Sequence, residues 1–313
     1  MLSPRPRTAY GHRWITYVGD DVGALAVDAR NARIARLHVD LGGHALRMCL
    51  PIELCSPSLS GAVERFEATG EAPRDLRLEP STSRRASDTP LQLPDLGILN
   101  RARSLFVGNK PLNQSVSMSV LAQFGELEEL SLYGTIGDLS SIARLSSLTG
   151  LALRFMPFLD GLPALSEWPL LDSFIAYNVG ESAGKALRHQ IKARAKVRPW
   201  SKHVSVSQLR APGWFAGQYG RPFWAWPSRQ AKIANAAFDE AQDALSKARS
   251  VKAAQAAIVQ FASPFNTLKG IETTERESLG EAVAQLIDEA KRVRALGVTP
   301  EMVAEWFDSV RDY

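Results

Sequence analysis

The sequence predicts an α/β chain in three parts: a β-rich N-terminal cap over residues 1–94, a short solenoid with a basic terminal helix over 95–200, and an aromatic junction with an α-helical domain over 201–313. Three observations carry this. Leucines recur on a strand-like spacing at a nearly constant period between about residues 95 and 180. Upstream, apolar residues alternate in strand fashion, and downstream they recur at helical spacing. Charge is partitioned so sharply that one 57-residue stretch, 182–238, holds eleven basic side chains and no acidic one.

The central segment is read from its leucines. Leu127, Leu130 and Leu132, then Leu148, Leu151 and Leu153, then Leu171, Phe174 and Ala176, follow Leu-x-x-Leu-x-Leu or a close variant, and Ala102, Leu105 and Val107 form a weaker copy. The equivalent positions Leu105, Leu130, Leu151 and Phe174 step by 25, 21 and 23 residues. Between strands the spacing changes to three, as in Ile136, Leu139, Ile142, Leu145 and Leu148, or Leu159, Leu162, Leu165, Trp168 and Leu171. That change suits a helical or 3₁₀ return burying one stripe. Over about 85 residues the chain resembles bacterial leucine-rich-repeat proteins, although Thr135 and Met156 stand where an asparagine is usual. The resemblance implies a leucine-rich-repeat solenoid whose strands line a partner-binding face.

Strands are expected in Trp14–Val27, Arg33–Asp40 and Ala45–Glu53, separated by Gly19-Asp20-Asp21 and Gly42-Gly43, with a helix over Ser60–Ala68, a degenerate first repeat strand at Asp75–Leu78 and an exposed loop over Ser81–Asp88. After the solenoid a basic helix is expected over Gly184–Ala195 and further helices over Arg229–Ala248 and Val251–Ala262, the latter stopped by Pro264. A capping box of Thr274 and Glu277 opens a helix running to Gly297, and Thr299-Pro300 starts a last one with Trp306 on its buried side.

Composition excludes several classes. Apolar runs such as Val22–Val27 fall well short of the roughly 18 residues a spanning helix needs, so no membrane association is expected. The N-terminus has basic residues but no apolar signal core, and a cytoplasmic location is expected. Cys49 and Cys55 are read as two reduced thiols in preference to a disulfide or zinc site, and His12, His38, His44, His189 and His203 are scattered. No metal or cofactor is expected. The glycines Gly213, Gly217 and Gly220 match neither a dinucleotide fingerprint nor a P-loop, and no nucleophile elbow or Cys-His pair is present, so the chain is read as non-enzymatic. Glu272, Glu275, Glu277 and Glu281 are assigned to helix capping in preference to acid-base chemistry.

The candidate site is the outward face of the strands. Side chains alternate across a strand, which puts Phe106, Ser131, Ala152 and Ile175 in one outward column and Gly108, Tyr133, Arg154 and Tyr177 in the next. Tyrosines beside an arginine are the composition that interface anchors favour, and Phe106, Ser131, Tyr133, Arg154, Ile175 and Tyr177 are the expected partner-binding residues. The alternative partner is nucleic acid, bound by the basic patch Lys185, Arg188, Lys192, Arg194, Lys196, Arg198 and Lys202 with nearby aromatics stacking bases, although no recognition motif accompanies it. A third reading is an enzyme of unknown reaction with a pocket walled by Trp214 and Trp224. Against it, the stretch Trp214, Phe215, Tyr219, Phe223, Trp224 and Trp226 also reads as a plug between solenoid and helical domain. The leading expectation is a protein-interaction module; by analogy, small cytosolic repeat proteins without catalytic motifs resemble bacterial immunity proteins that block a cognate toxin.

Overall fold

The computed structural model describes residues 14–18, 25–34, 36–42, 45–52, 56–83 and 89–312. The expected turn at Gly19-Asp20-Asp21, His12, His44, Cys55 and residues 84–88 of the expected loop lie outside these residues. The chain divides into two compact units, residues 1–215 and 216–313.

The first unit is built on one nine-stranded parallel sheet. Its strands, in spatial order, are β1 (Trp14–Val18), β3 (Arg36–Leu41), β5 (Ser56–Gly61), β7 (Asp75–Pro80), β8 (Ser104–Gly108), β10 (Glu129–Tyr133), β12 (Gly150–Arg154), β13 (Ser173–Tyr177) and β14 (Val204–Ser207). Smaller parallel sheets are formed by β2 (Leu25–Asp28), β4 (Leu46–Cys49) and β6 (Phe66–Thr69), and by β9 (Val116–Ser117) with β11 (Ile136–Gly137). Parallel pairing in register stacks equivalent residues across the sheet. Val39, Leu59, Leu78, Val107, Leu132, Leu153 and Ala176 form one such row, every member fully buried. Leu76, Leu105, Leu130, Leu151 and Phe174 form the next. A slip of one residue in any strand would turn its apolar set to solvent, so these rows specify the register.

The connections close the core on one side. 3₁₀ turns at Met118–Gln123, Leu139–Arg144 and Leu165–Glu167 bury the residues spaced by three, including Leu139, Ile142, Leu145 and Leu148. Trp168 is fully buried there, and its indole Nε1–H donates to the Ile142 carbonyl at 3.1 Å, satisfying the one polar group that burial would otherwise strand.

The fold class expected from the leucines is corrected by this sheet. The protein is α/β with a large parallel sheet plus helices, in place of a short leucine-rich-repeat solenoid set between a β-rich cap and a helical domain. Pairing of β7 with β8 carries the sheet straight across residue 94, and pairing of β13 with β14 carries it across residue 200, so neither expected boundary separates compact units. Leucine spacing reports where some strands lie but not which other strands pair with them, and the N-terminal strands lack the leucine signature while making the same backbone ladder. The helix expected over Ser60–Ala68 is also replaced, by the end of β5, a 3₁₀ turn at Val63–Arg65 and β6. Val63 and Phe66 are both buried, and their spacing of three imitated a helical stripe.

After β13 comes helix α1 (Glu181–Val197), which buries Gly184 and Leu187 against the sheet's core, and α2 (Pro212–Tyr219) follows β14. The second unit contains α3 (Ser228–Lys247), α4 (Val251–Ala262), α5 (Thr273–Glu289), α6 (Lys291–Ala295) and α7 (Pro300–Asp308). Its core centres on Phe261, whose ring lies 5.3–6.5 Å from those of Phe223, Phe238, Phe265 and Phe307. The capping box forms two residues earlier than expected: the Glu272 N–H donates to Glu275 at 3.1 Å, so Thr274 sits inside the first turn. The expected single helix to Gly297 breaks at Ala290 into α5 and α6. Thr299 caps α7, accepting from the Met302 N–H at 3.4 Å, and Trp306 is buried.

Candidate functional site

The register places the candidate residues on one face. Phe106, Ser131, Ala152 and Ile175 are direct neighbours across β8, β10, β12 and β13, and Gly108, Tyr133, Arg154 and Tyr177 are neighbours in the next row. All six proposed contact residues are half-buried or exposed, in contrast to the buried rows between them. Phe106, Ser131 and Ile175, but not Tyr133, Arg154 or Tyr177, line an open groove of about 420 Å³ together with Gly150, Ala152, Asp75, Arg77, Glu129 and Lys202. Arg77 lies flat over Phe106, 3.7 Å from the ring centroid, and its guanidinium also donates to Glu79 at 2.6 Å. Phe106 therefore has one face covered by the chain itself.

At the C-terminal ends of the same strands the backbone takes an uncommon turn. Gly134, Phe155, Asn178 and Gln208 directly follow β10, β12, β13 and β14, and all have positive φ, at 88°, 53°, 51° and 54°. Glycine is required at 134, where a Cβ would collide with the Asn109 carbonyl oxygen. Asn178 is a side chain that tolerates this region; phenylalanine is not, and its presence there marks a strained position held by its surroundings.

Those surroundings are aromatic. The Phe155 ring is 5.0 Å from Tyr133, 5.7 Å from Tyr177 and 6.4 Å from Trp214. Arg210 lies over Trp214 at 4.5 Å and donates to Asn178 Oδ1 at 2.8 Å. Tyr177 remains 37% exposed. Arg154, in register between the two tyrosines, is exposed and makes no ion pair with a described residue. Sequence reasoning located the two tyrosines and the arginine but missed Phe155, because an aromatic after a strand reads as a loop residue and αL geometry leaves no trace in spacing. Asp75 and Arg77 of β7 and Glu129 of β10 were missed because their spacing on expected strands does not show that they line one groove until the register sets the strands side by side.

The basic patch separates into two kinds of residue. Lys185 pairs with Glu181 at 2.6 Å, Arg188 donates to the Val206 carbonyl from Nε at 3.2 Å and Nη2 at 3.1 Å, and Arg194 donates to the Leu171 carbonyl while lying 3.9 Å over the Trp200 ring. Val206 belongs to the last strand of the sheet, so Arg188 covers an edge carbonyl. Burial lowers the Arg194 pKa, Arg198 adds to this and Asp172 opposes it. Lys192, Lys196, Arg198 and Lys202 are exposed and make no ion pair with a described residue. Asp172 is held below the ordinary carboxylate range, first by the Ser201 hydroxyl and then by the Ser201 N–H at 3.0 Å, with Lys202 and Arg198 contributing at longer range.

The aromatic stretch does not act as a unit. Trp214 and Phe215 belong to the first unit, Phe223 and Trp226 to the core of the second, and Trp224 is exposed. Cys49 is half-buried. Among the described residues no group of three or more His, Cys, Asp or Glu side chains is placed to hold a metal ion, and no helix is long and apolar enough to cross a membrane. The chain matches no family model, no curated protein and no solved structure.

Proposed function

We propose that this chain is a protein-binding module that holds its partner on the exposed face of the parallel sheet, with Tyr177 and Arg154 as anchors. The observation that carries this reading is the Phe155 position: a strained αL phenylalanine wedges Tyr133, Tyr177 and Trp214 into a rigid aromatic platform beside an exposed arginine. Rigid aromatics lose little side-chain freedom on association, so the area they bury converts well into affinity. The groove beside them supplies hydroxyls and both signs of charge for register. An immunity protein that blocks a cognate toxin is one instance of such a module, and the identity of the partner decides that finer assignment.

The test begins with affinity capture from the native host and purification of what is bound. Arg154→Ala and Tyr177→Ala are then titrated against the purified partner. Loss of either anchor is expected to cost about 2 kcal/mol, a roughly thirtyfold rise in Kd, while the melting temperature moves by no more than about 1 °C. Unchanged affinity in both variants rejects the sheet face as the binding surface.

A further inference from the structure

We infer that the partner of the sheet face presents an acidic polypeptide segment, which lies along the C-terminal end of α1 on Lys192, Lys196, Arg198 and Lys202. This rests on the protein-binding reading above. Three of the seven cations in the patch have structural work: Lys185 is paired with Glu181, while Arg188 and Arg194 are spent on backbone carbonyls. The remaining four are exposed, unpaired among the described residues, and confined to the eleven positions from 192 to 202. Asp172, hydrogen-bonded by Ser201 and held ionised, offsets part of the charge of Lys202 and Arg198. Four exposed cations against that one carboxylate leave a net positive field, and it attracts an anion over roughly a Debye length, about 8 Å at physiological salt.

Continuity with the groove fixes where that anion goes. Lys202 belongs to the cationic cluster and also lines the groove on the sheet face, beside Ser173 and Ile175. A partner seated on Ile175 and Tyr177 thus reaches Lys202 without leaving the surface.

Two observations favour polypeptide over nucleic acid. Bases stack on open aromatic faces, and one face each of Trp200, Trp214 and Phe106 is already taken, by Arg194 at 3.9 Å, Arg210 at 4.5 Å and Arg77 at 3.7 Å. The groove that continues the cationic patch also carries Asp75 and Glu129, neither in an ion pair with a described residue, and these repel a phosphate chain while suiting a partner of mixed charge. A segment rich in Glu or Asp followed by an ordinary protein surface meets both conditions.

The full chain is titrated by fluorescence anisotropy with a short labelled Glu-rich peptide and, separately, a single-stranded DNA oligonucleotide of equal charge. The peptide is expected to bind at about 50 mM salt and to weaken about tenfold by about 300 mM. Changing Lys192, Lys196, Arg198 and Lys202 together to Glu is expected to weaken the peptide at least about tenfold, and the same four changed to Gln to fall between, with circular dichroism unaltered in both. Tighter binding of the oligonucleotide than of the peptide, no peptide binding at low salt, or equal peptide affinity in the charge-reversed chain would overturn the inference. Arg154→Ala and Tyr177→Ala are expected to leave peptide affinity unchanged, so loss of the sheet-face reading shows in those variants against the purified partner and loss of this inference shows in the peptide titration.

Discussion

Phe155 offers a direct measurement of how much backbone strain the aromatic platform holds. Its φ of 53° places an L-residue with a large side chain in the left-handed region, which costs about 1–2 kcal/mol relative to the right-handed one. The Phe155 N–H donates to the Tyr177 carbonyl at 2.9 Å, so the ladder pins the backbone while the ring packs against three aromatic neighbours. Phe155→Ala removes those three ring contacts, each worth about 0.5–1.5 kcal/mol, and keeps the strain. Phe155→Gly removes the same three contacts but relieves the strain, against a gain in unfolded-chain freedom of about 0.5–1 kcal/mol. The glycine variant is therefore expected to be more stable than the alanine variant by about 1 kcal/mol, although both fall below the native chain. Urea titration followed by circular dichroism reads this as a difference in midpoint of about 0.5 M for a slope near 2 kcal/mol/M. Equal midpoints, or a more stable alanine variant, would show that position 155 is not strained and would remove the argument that the platform is held rigid.

Gly134→Ala tests the equivalent position where no side chain fits. Its Cβ would strike the Asn109 carbonyl at φ 88°, and a loss of at least about 2 kcal/mol is expected, read as a fall of about 1 M in the urea midpoint, with an unchanged midpoint refuting the geometry. The Asp28 carboxyl, held to about 2 by the Arg30 side chain and then its N–H, is expected to return toward its ordinary value in Arg30→Ala when followed by carboxylate NMR. Because the folded pKa is depressed, its contribution to stability is present above about pH 4 and is lost as pH falls through about 2; the Arg30→Ala chain should lack that component.

Much of the candidate site was legible because parallel pairing preserves sequence spacing. Steps of 25, 21 and 23 residues between Leu105, Leu130, Leu151 and Phe174 became direct cross-strand neighbours, and the outward columns followed from alternation alone. The helices of the second unit were legible for a similar local reason: Pro264, Thr299-Pro300 and the apolar stripes act within one or two turns. What alternation could not reveal was the sign of φ at Phe155 or the division of the cations, since Arg188 and Lys192 look alike until Val206 is brought beside one of them.

The sequence by itself determined the strand positions of the leucine segment, the faces their side chains take, the helical C-terminal part and the concentration of positive charge in residues 182–238. Tertiary structure alone decided that β1, β3 and β5 join the same sheet, because strand pairing is made by backbone groups that every sequence shares. It also decided which cations are left for a partner and which aromatic rings are already covered. The contacts of Arg188 with Val206 and of Arg194 with Leu171 join residues 18 and 23 positions apart, which no local pattern encodes, whereas the Lys185–Glu181 pair is one helical turn apart.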